Sequence, residues 1–152
     1  VKRDGLELKY IKVQTEEICL EAVKQNIFAL EYAKIQTEEM CLIAVKKYGG
    51  ILQYVKEQTN EICLEAVKQD GFALLYVKKQ TKEICLEAVK QDIKSAMFIN
   101  IKYVKFIYKY LKSINFENLD DDYKFIINKD LNSFKKYYEY CKKNIYEYND
   151  YT

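Results

Sequence analysis

The sequence predicts an all-α fold, an α-solenoid of 22-residue helix-turn-helix repeats closed by an aromatic-rich helical C-terminal cap. Three observations carry it. The segment QTEEICLEAVKQN at Gln14 returns as QTEEMCLIAVKKY at Gln36, QTNEICLEAVKQD at Gln58 and QTKEICLEAVKQD at Gln80, a period of 22 without a slip. Within each copy a Thr-led, mostly acidic start precedes an apolar face at helical spacing. Between copies the apolar positions form columns, which is how hairpins too short to be stable alone bury their faces on one another.

The same register extends to the left of Gln14. Val1 is in phase with Val23, and KRDGLELKYIK matches KQDGFALLYVK at Lys68, so residues 1–13 form a half unit ahead of the units starting at 14, 36, 58 and 80. Val1 is not an initiator Met and falls inside a predicted helix, so the natural protein is expected either to extend further upstream or to be a processed form. In each full unit Thr15, Thr37, Thr59 or Thr81 stands at an N-cap, and the acids after it suit the positive end of the helix dipole. Ile18, Cys19, Leu20, Ala22 and Val23 make the first apolar face, and Lys24 arrives at the negative end. Gly5, Gly49 and Gly71 share one phase just after that lysine, where a left-handed residue would end the helix, while Ile27 and Ile93 occupy the phase elsewhere. A second short helix then carries Phe28, Leu30, Tyr32 and Ala33, or Phe72, Leu74, Tyr76 and Val77. A helix of about eleven residues is only ~16 Å long, so it must be held by stacking.

Two columns are nearly constant. Leu8, Leu30, Leu52 and Leu74 form an aliphatic ladder, and Tyr10, Tyr32, Tyr54 and Tyr76, with Phe98 in phase, an aromatic one. The columns beside them change chemistry at every step: Lys9, Glu31, Gln53, Leu75, Met97, and Leu6, Phe28, Gly50, Phe72, Lys94. Variation flanking invariance marks these as the candidate partner-reading positions, with neutral drift on a solvated surface as the alternative.

The unit EICLEAVKQ, then Asn or Asp, then Gly and a segment such as FALLYV, resembles a helical repeat family of unknown function abundant in giant DNA viruses of amoebae and in some amoeba-associated bacteria. The resemblance covers residues 1–100. It implies a viral helical array with no catalytic residues to carry over. Ile27 and Ile93 depart from the family's turn glycine, and the connectors are shorter than its longer Pro-containing linkers.

Composition shifts near residue 100, with 8 aromatics before it and 14 after it. Residues 101–152 are therefore read as a helical capping region. Tyr103, Ile107, Tyr110, Leu111 and Ile114 define one helix face, surrounded by Lys102, Lys105, Lys109 and Lys112. Asp120, Asp121 and Asp122 suit a cap and first turn for a short helix through Tyr123, Phe125, Ile126 and Ile127, and Phe134, Tyr137, Tyr138, Cys141 and Ile145 line a last one. Placing Asp120 on Thr59 brings Tyr137 onto Tyr76, so this region is either a decayed repeat or an unrelated cap.

Composition also removes mechanisms. The chain has no His, no Pro and no Trp, and Arg3 is the single arginine among 25 basic residues. Without histidine there is no Ser-His-Asp triad, Cys-His pair or imidazole acid-base step, and one arginine leaves little for bidentate phosphate recognition. Cys19, Cys41, Cys63 and Cys85 are periodic, but units stacked ~8–10 Å apart hold them beyond disulfide reach and spread them too widely for one zinc. They are read as small buried apolar residues. Paired Glu16/Glu17 and Glu38/Glu39 sit at helix starts that favour ionised carboxylates, the reverse of what a general acid needs. The three Asp residues lack the following glycine and bidentate Glu of a calcium loop.

The leading expectation is thus a non-enzymatic protein-protein interaction or scaffold module with no cofactor and no metal, its partner another protein of host or virus. The runner-up is single-stranded nucleic acid, raised by the Lys and Tyr interleaved in YVKFIYKYLK. A formal charge of +2 gives that reading little bulk support. No segment is long and apolar enough for a signal peptide or membrane span, so an intracellular place, host cytoplasm or virion, is expected. Self-association through the open N-terminal half unit is a further possibility.

Overall fold

A computed structural model describes residues 5–114, 130–136 and 139–140. Within them two kinds of element alternate. Four α-helices of 10 residues, α1 (Glu16–Gln25), α2 (Glu38–Lys47), α3 (Asn60–Gln69) and α4 (Lys82–Gln91), are interleaved with five six-residue 3-10 segments: η1 (Gly5–Tyr10), η2 (Ile27–Tyr32), η3 (Gly49–Tyr54), η4 (Gly71–Tyr76) and η5 (Ile93–Phe98). A longer helix, α5 (Ile101–Ser113), follows. Each α-helix packs on the next α-helix and each 3-10 segment on the next 3-10 segment, so the molecule is an all-α solenoid.

The α-helices begin as their sequences dictate. The hydroxyls of Thr15, Thr37, Thr59 and Thr81 accept from the N–H groups of Ile18, Met40, Ile62 and Ile84 at 3.2–3.3 Å. Each cap satisfies one orphan donor of the first turn. Cys19, Ala22 and Val23, and the same phases of the later units, lie in one continuous core with Leu8, Leu30, Leu52 and Leu74, all four of these leucines fully buried.

The second element of each unit is helical, as expected, but it is not an α-helix. It is a 3-10 segment, launched in η2, η4 and η5 by Asn26, Asp70 or Asp92, whose side-chain oxygen accepts from the N–H two residues on. A 3-10 helix has three residues per turn, so one edge carries every third residue. Gly49, Leu52 and Val55, and again Gly71, Leu74 and Val77, are such edges and are buried.

The glycine expectation fails, for an informative reason. Among the described residues none has positive φ, and the α-helices end at extended residues such as Asp70, with φ −149°. Gly49 and Gly71 are needed for close approach. A Cβ on Gly49 would fall 2.5 Å from the carbonyl oxygen of Ala66, and one on Gly71 2.6 Å from that of Ala88. These glycines let η3 and η4 lie directly on the ends of α3 and α4.

The C-terminal turn of the array is closed differently. Asn100 caps α5 by accepting from the Lys102 N–H at 3.2 Å, so the helix begins at Ile101 without another Gln-Thr connector. Its buried stripe is Val104, Ile107 and Leu111, which packs α5 against α4. Tyr103 and Tyr110 of the anticipated face are half-buried, and Ile114 lies beyond the helix and is exposed. That face is shifted because period 3.6 centres it on Ile107. Phe134 is buried in the core and its ring lies 5.5 Å from that of Tyr108. The anticipated helices at Asp120–Asp122, Tyr123, Phe125, Ile126 and Ile127, and the positions Tyr137, Tyr138, Cys141 and Ile145, lie outside the described residues.

Candidate interaction face

The four connectors between 3-10 segment and α-helix hold the array in register. In Gln36 the side-chain nitrogen donates to the carbonyls of Leu30 and Tyr54, both at 2.9 Å, and the side-chain oxygen accepts from the Lys56 N–H at 2.9 Å. One amide therefore ties its own 3-10 segment to the next. Gln14, Gln58 and Gln80 repeat the arrangement, the last with Phe98 and Asn100. Lysines reinforce it: Lys78 Nζ donates to the carbonyls of Val55 at 3.2 Å and Lys56 at 2.8 Å, and Lys56 Nζ does the same to Ala33 and Lys34. The glutamine ladder is the feature that residue chemistry did not announce; its signal was the invariance of Gln beside each capping Thr.

The cysteines belong to this framework. Cys19, Cys41, Cys63 and Cys85 are buried free thiols, and the Sγ of Cys19, Cys63 and Cys85 donates to the glutamine oxygen five residues earlier at 3.4–3.7 Å. Burial pushes the Cys41 thiol up to about 11, aided by the Glu38 carboxylate, and the Cys85 thiol up to about 12. These groups are protonated at neutral pH and are poor nucleophiles.

The same three-residue period that buries one edge of each 3-10 segment presents another edge to solvent. Phe28 and Glu31 lie on it in η2, Gly50 and Gln53 in η3, Phe72 and Leu75 in η4, Lys94 and Met97 in η5, with Leu6 and Lys9 in η1. The two varying columns are therefore side by side on one outer face. Lys9, Glu31 and Gln53 are exposed, Met97 is half-buried, and Gly50 is buried under the Tyr48 ring. Phe28, Phe72 and Leu75 remain 44%, 37% and 45% exposed.

Aromatic contacts run between the segments beneath this edge. The Phe28 and Tyr48 rings are 6.2 Å apart and those of Phe72 and Phe98 5.7 Å. Lys9 Nζ sits 4.9 Å from the Tyr10 ring centroid and 6.0 Å from that of Tyr32. Loss of water, then the Glu31 carboxylate and the Tyr32, Tyr76 and Tyr48 side chains, holds the Tyr54 hydroxyl above its ordinary value. The tyrosine ladder thus forms the half-buried floor of the face from Tyr32 to Tyr76, whereas Tyr10 is 76% exposed.

Two other surfaces were candidates. Clefts of about 310 and 440 Å³ open between successive connectors, the first near Thr37 and the second near Thr59 and Thr81. Of the lysines lining them, Lys34, Lys56 and Lys78 donate to backbone carbonyls. On α5, Lys102 lies 4.8 Å from its neighbour's Tyr103 ring, and Lys82 of α4 lies 5.5 Å from the Phe106 ring. Those cations and rings are engaged with each other. Among the described residues no helix is long and apolar enough to cross a membrane.

Stacked αη units joined by a glutamine ladder define a helical-repeat protein. Three overlapping matches, over residues 15–60, 37–80 and 59–112, place its repeats more narrowly, in a domain of unknown function, DUF4116. The chain belongs to that family. No curated protein and no solved structure matches it.

Proposed function

We propose that the chain is a non-enzymatic interaction module whose outer 3-10 edge recognises another protein. One observation carries this reading. The inward edge of the 3-10 segments stays apolar while the outward edge changes between aromatic, aliphatic, acidic, basic and amide side chains, and that outward edge leaves Phe28, Phe72 and Leu75 partly in water. Apolar anchors set among changing polar neighbours are what a protein-recognition surface requires. Restriction of basic residues to lysine but for Arg3, together with the likeness of the units to those of giant-virus proteins, supports a viral protein acting in host cytoplasm or virion.

Affinity capture with the wild-type chain and with Glu31→Lys, Gln53→Lys and Leu75→Ala tests the reading. Partners bound by the wild type are lost from at least one of the three. Identical partners across all of them sink it, and tight, steeply salt-dependent binding of single-stranded RNA or DNA would replace it with the nucleic-acid alternative. The solution mass in the same experiment reports any self-association through η1.

A further inference from the structure

Two 3-10 segments, η3 and η4, are latched to the following α-helix at the edge opposite the glutamine ladder. The Gly49 N–H donates to Gln69 Oε1 at 2.5 Å and the Gly71 N–H to Gln91 Oε1 at 2.6 Å. The latch needs both partners: glycine so that the backbone can approach, and glutamine so that an acceptor waits 20 residues later. Gly5 and Gln25 hold the same two phases at the start of the array.

One junction lacks both. Between η2 and α2 the phases are Ile27 and Lys47, a β-branched side chain and a pure donor. Since a single Cβ at Gly49 would already meet the Ala66 carbonyl, Ile27 requires η2 to stand further from α2. The packing agrees. The α1–α2, η2–α2 and η2–η3 pairs, which all cross this junction, are each less closely packed than the equivalent pairs elsewhere among units α1 to α4. At the α2–α3 junction Glu65 reaches back to Lys46 at 3.8 Å, at α3–α4 Glu87 pairs with Lys90 of its own helix, and at α1–α2 the phase is Ile43, which offers no carboxylate. Apolar contacts stand instead, with the Phe28 and Tyr48 rings meeting across the gap. Apolar contact is non-directional and tolerates sliding that a hydrogen bond does not.

We propose that the array is two bodies, Gly5–Tyr32 and Glu38–Ser113, joined by a seam that opens on the Ile27–Lys47 edge. The other edge stays pinned. Gln36 bonds to Leu30 on one side and to Tyr54 and Lys56 on the other, and Lys56 Nζ holds the carbonyls of Ala33 and Lys34. Opening therefore swings Phe28 relative to Phe72 and Leu75 without parting the ladder, so the spacing of the outer face is adjustable at one defined place. Local openings of this kind arise where cooperative units are weakly coupled.

Amide hydrogen exchange on the full chain tests the seam. In the wild type, α1 and η2 exchange together, at least on the order of tenfold faster than α3, with a step between η2 and α2. Ile27→Gly combined with Lys47→Gln adds the latch and slows exchange of α1 and η2 by roughly threefold to tenfold, the equivalent of one hydrogen bond. Gln69→Lys, a single exposed change that removes an existing latch, adds a second step at the η3–α3 junction. A smooth gradient from α1 to α3, or an unchanged α1 in the latched variant with no new step in Gln69→Lys, would overturn the proposal by assigning fast exchange to ordinary end fraying.

Discussion

The side-chain nitrogen of Gln58 donates to the backbone carbonyl of Tyr76, 18 residues later, at 2.9 Å. The same nitrogen donates to Leu52 at 3.2 Å, and the side-chain oxygen accepts from the Lys78 N–H at 2.9 Å. A residue between two elements thereby fixes the spacing of two repeats.

Gln58→Ala removes three backbone hydrogen bonds and the weak one from the Cys63 thiol in a half-buried place, so it destabilises the fold by about 2–4 kcal/mol. Gln58→Glu separates donor from acceptor roles. Its carboxylate still accepts from Lys78 but turns a charge toward two carbonyls, so it is at least as damaging at pH 7 and is partly relieved when acid protonates it. Urea denaturation of the three proteins at neutral and acidic pH checks this. Equal midpoints for wild type and Gln58→Ala would show that the ladder contributes nothing.

Close approach and backbone freedom make opposite demands on glycine substitutions. At Gly71 an added Cβ meets the fixed carbonyl of Ala88, so Gly71→Ala costs about 1–3 kcal/mol as η4 and α4 are forced apart. At Gly50 the nearest atoms belong to the ring of Tyr48, which is 44% exposed and able to turn away. Gly50→Ala is therefore near neutral, or stabilising by a few tenths through the unfolded chain at about 0.4–1 kcal/mol before any ring adjustment. Had a left-handed backbone been the reason for these glycines, both substitutions would destabilise. Paired thermal melts distinguish the two cases.

What could be read from the sequence follows from how local each interaction is. Thr59 caps a helix three residues away and Leu52 repeats in a column, so the caps, the four α-helices and the aliphatic core were legible from spacing alone. The 3-10 geometry was not, because six residues such as Gly71–Tyr76 are too few to separate a period of three from one of 3.6. The Gln58 ladder and the Gly49–Gln69 latch were hidden for another reason: their partners are 18 and 20 residues apart, on separate elements, a spacing that no helix period brings together. The varying columns were legible as columns. That Phe72 and Leu75 share one outer edge needed the three-residue turn.

The buried thiols give the fold an alkaline limit. Cys41 and Cys85 are held at about 11 and about 12, above the ordinary thiol value, chiefly because burial disfavours the thiolate. Between 9 and 12 the unfolded chain loses these protons while the folded chain keeps them, so ionisation draws the equilibrium toward the unfolded state. Their contribution is complete below pH 9 and is lost as pH rises through the folded values. Lysines and tyrosines also titrate in that range, so the measurement is a difference. Stability is followed by urea denaturation from pH 8 to 11 for the wild type and for Cys41→Ala/Cys85→Ala. The wild type falls more steeply with pH than the variant, which lacks two of the buried thiols and keeps Cys63. Parallel curves would mean that these thiols are not the source of the alkaline limit.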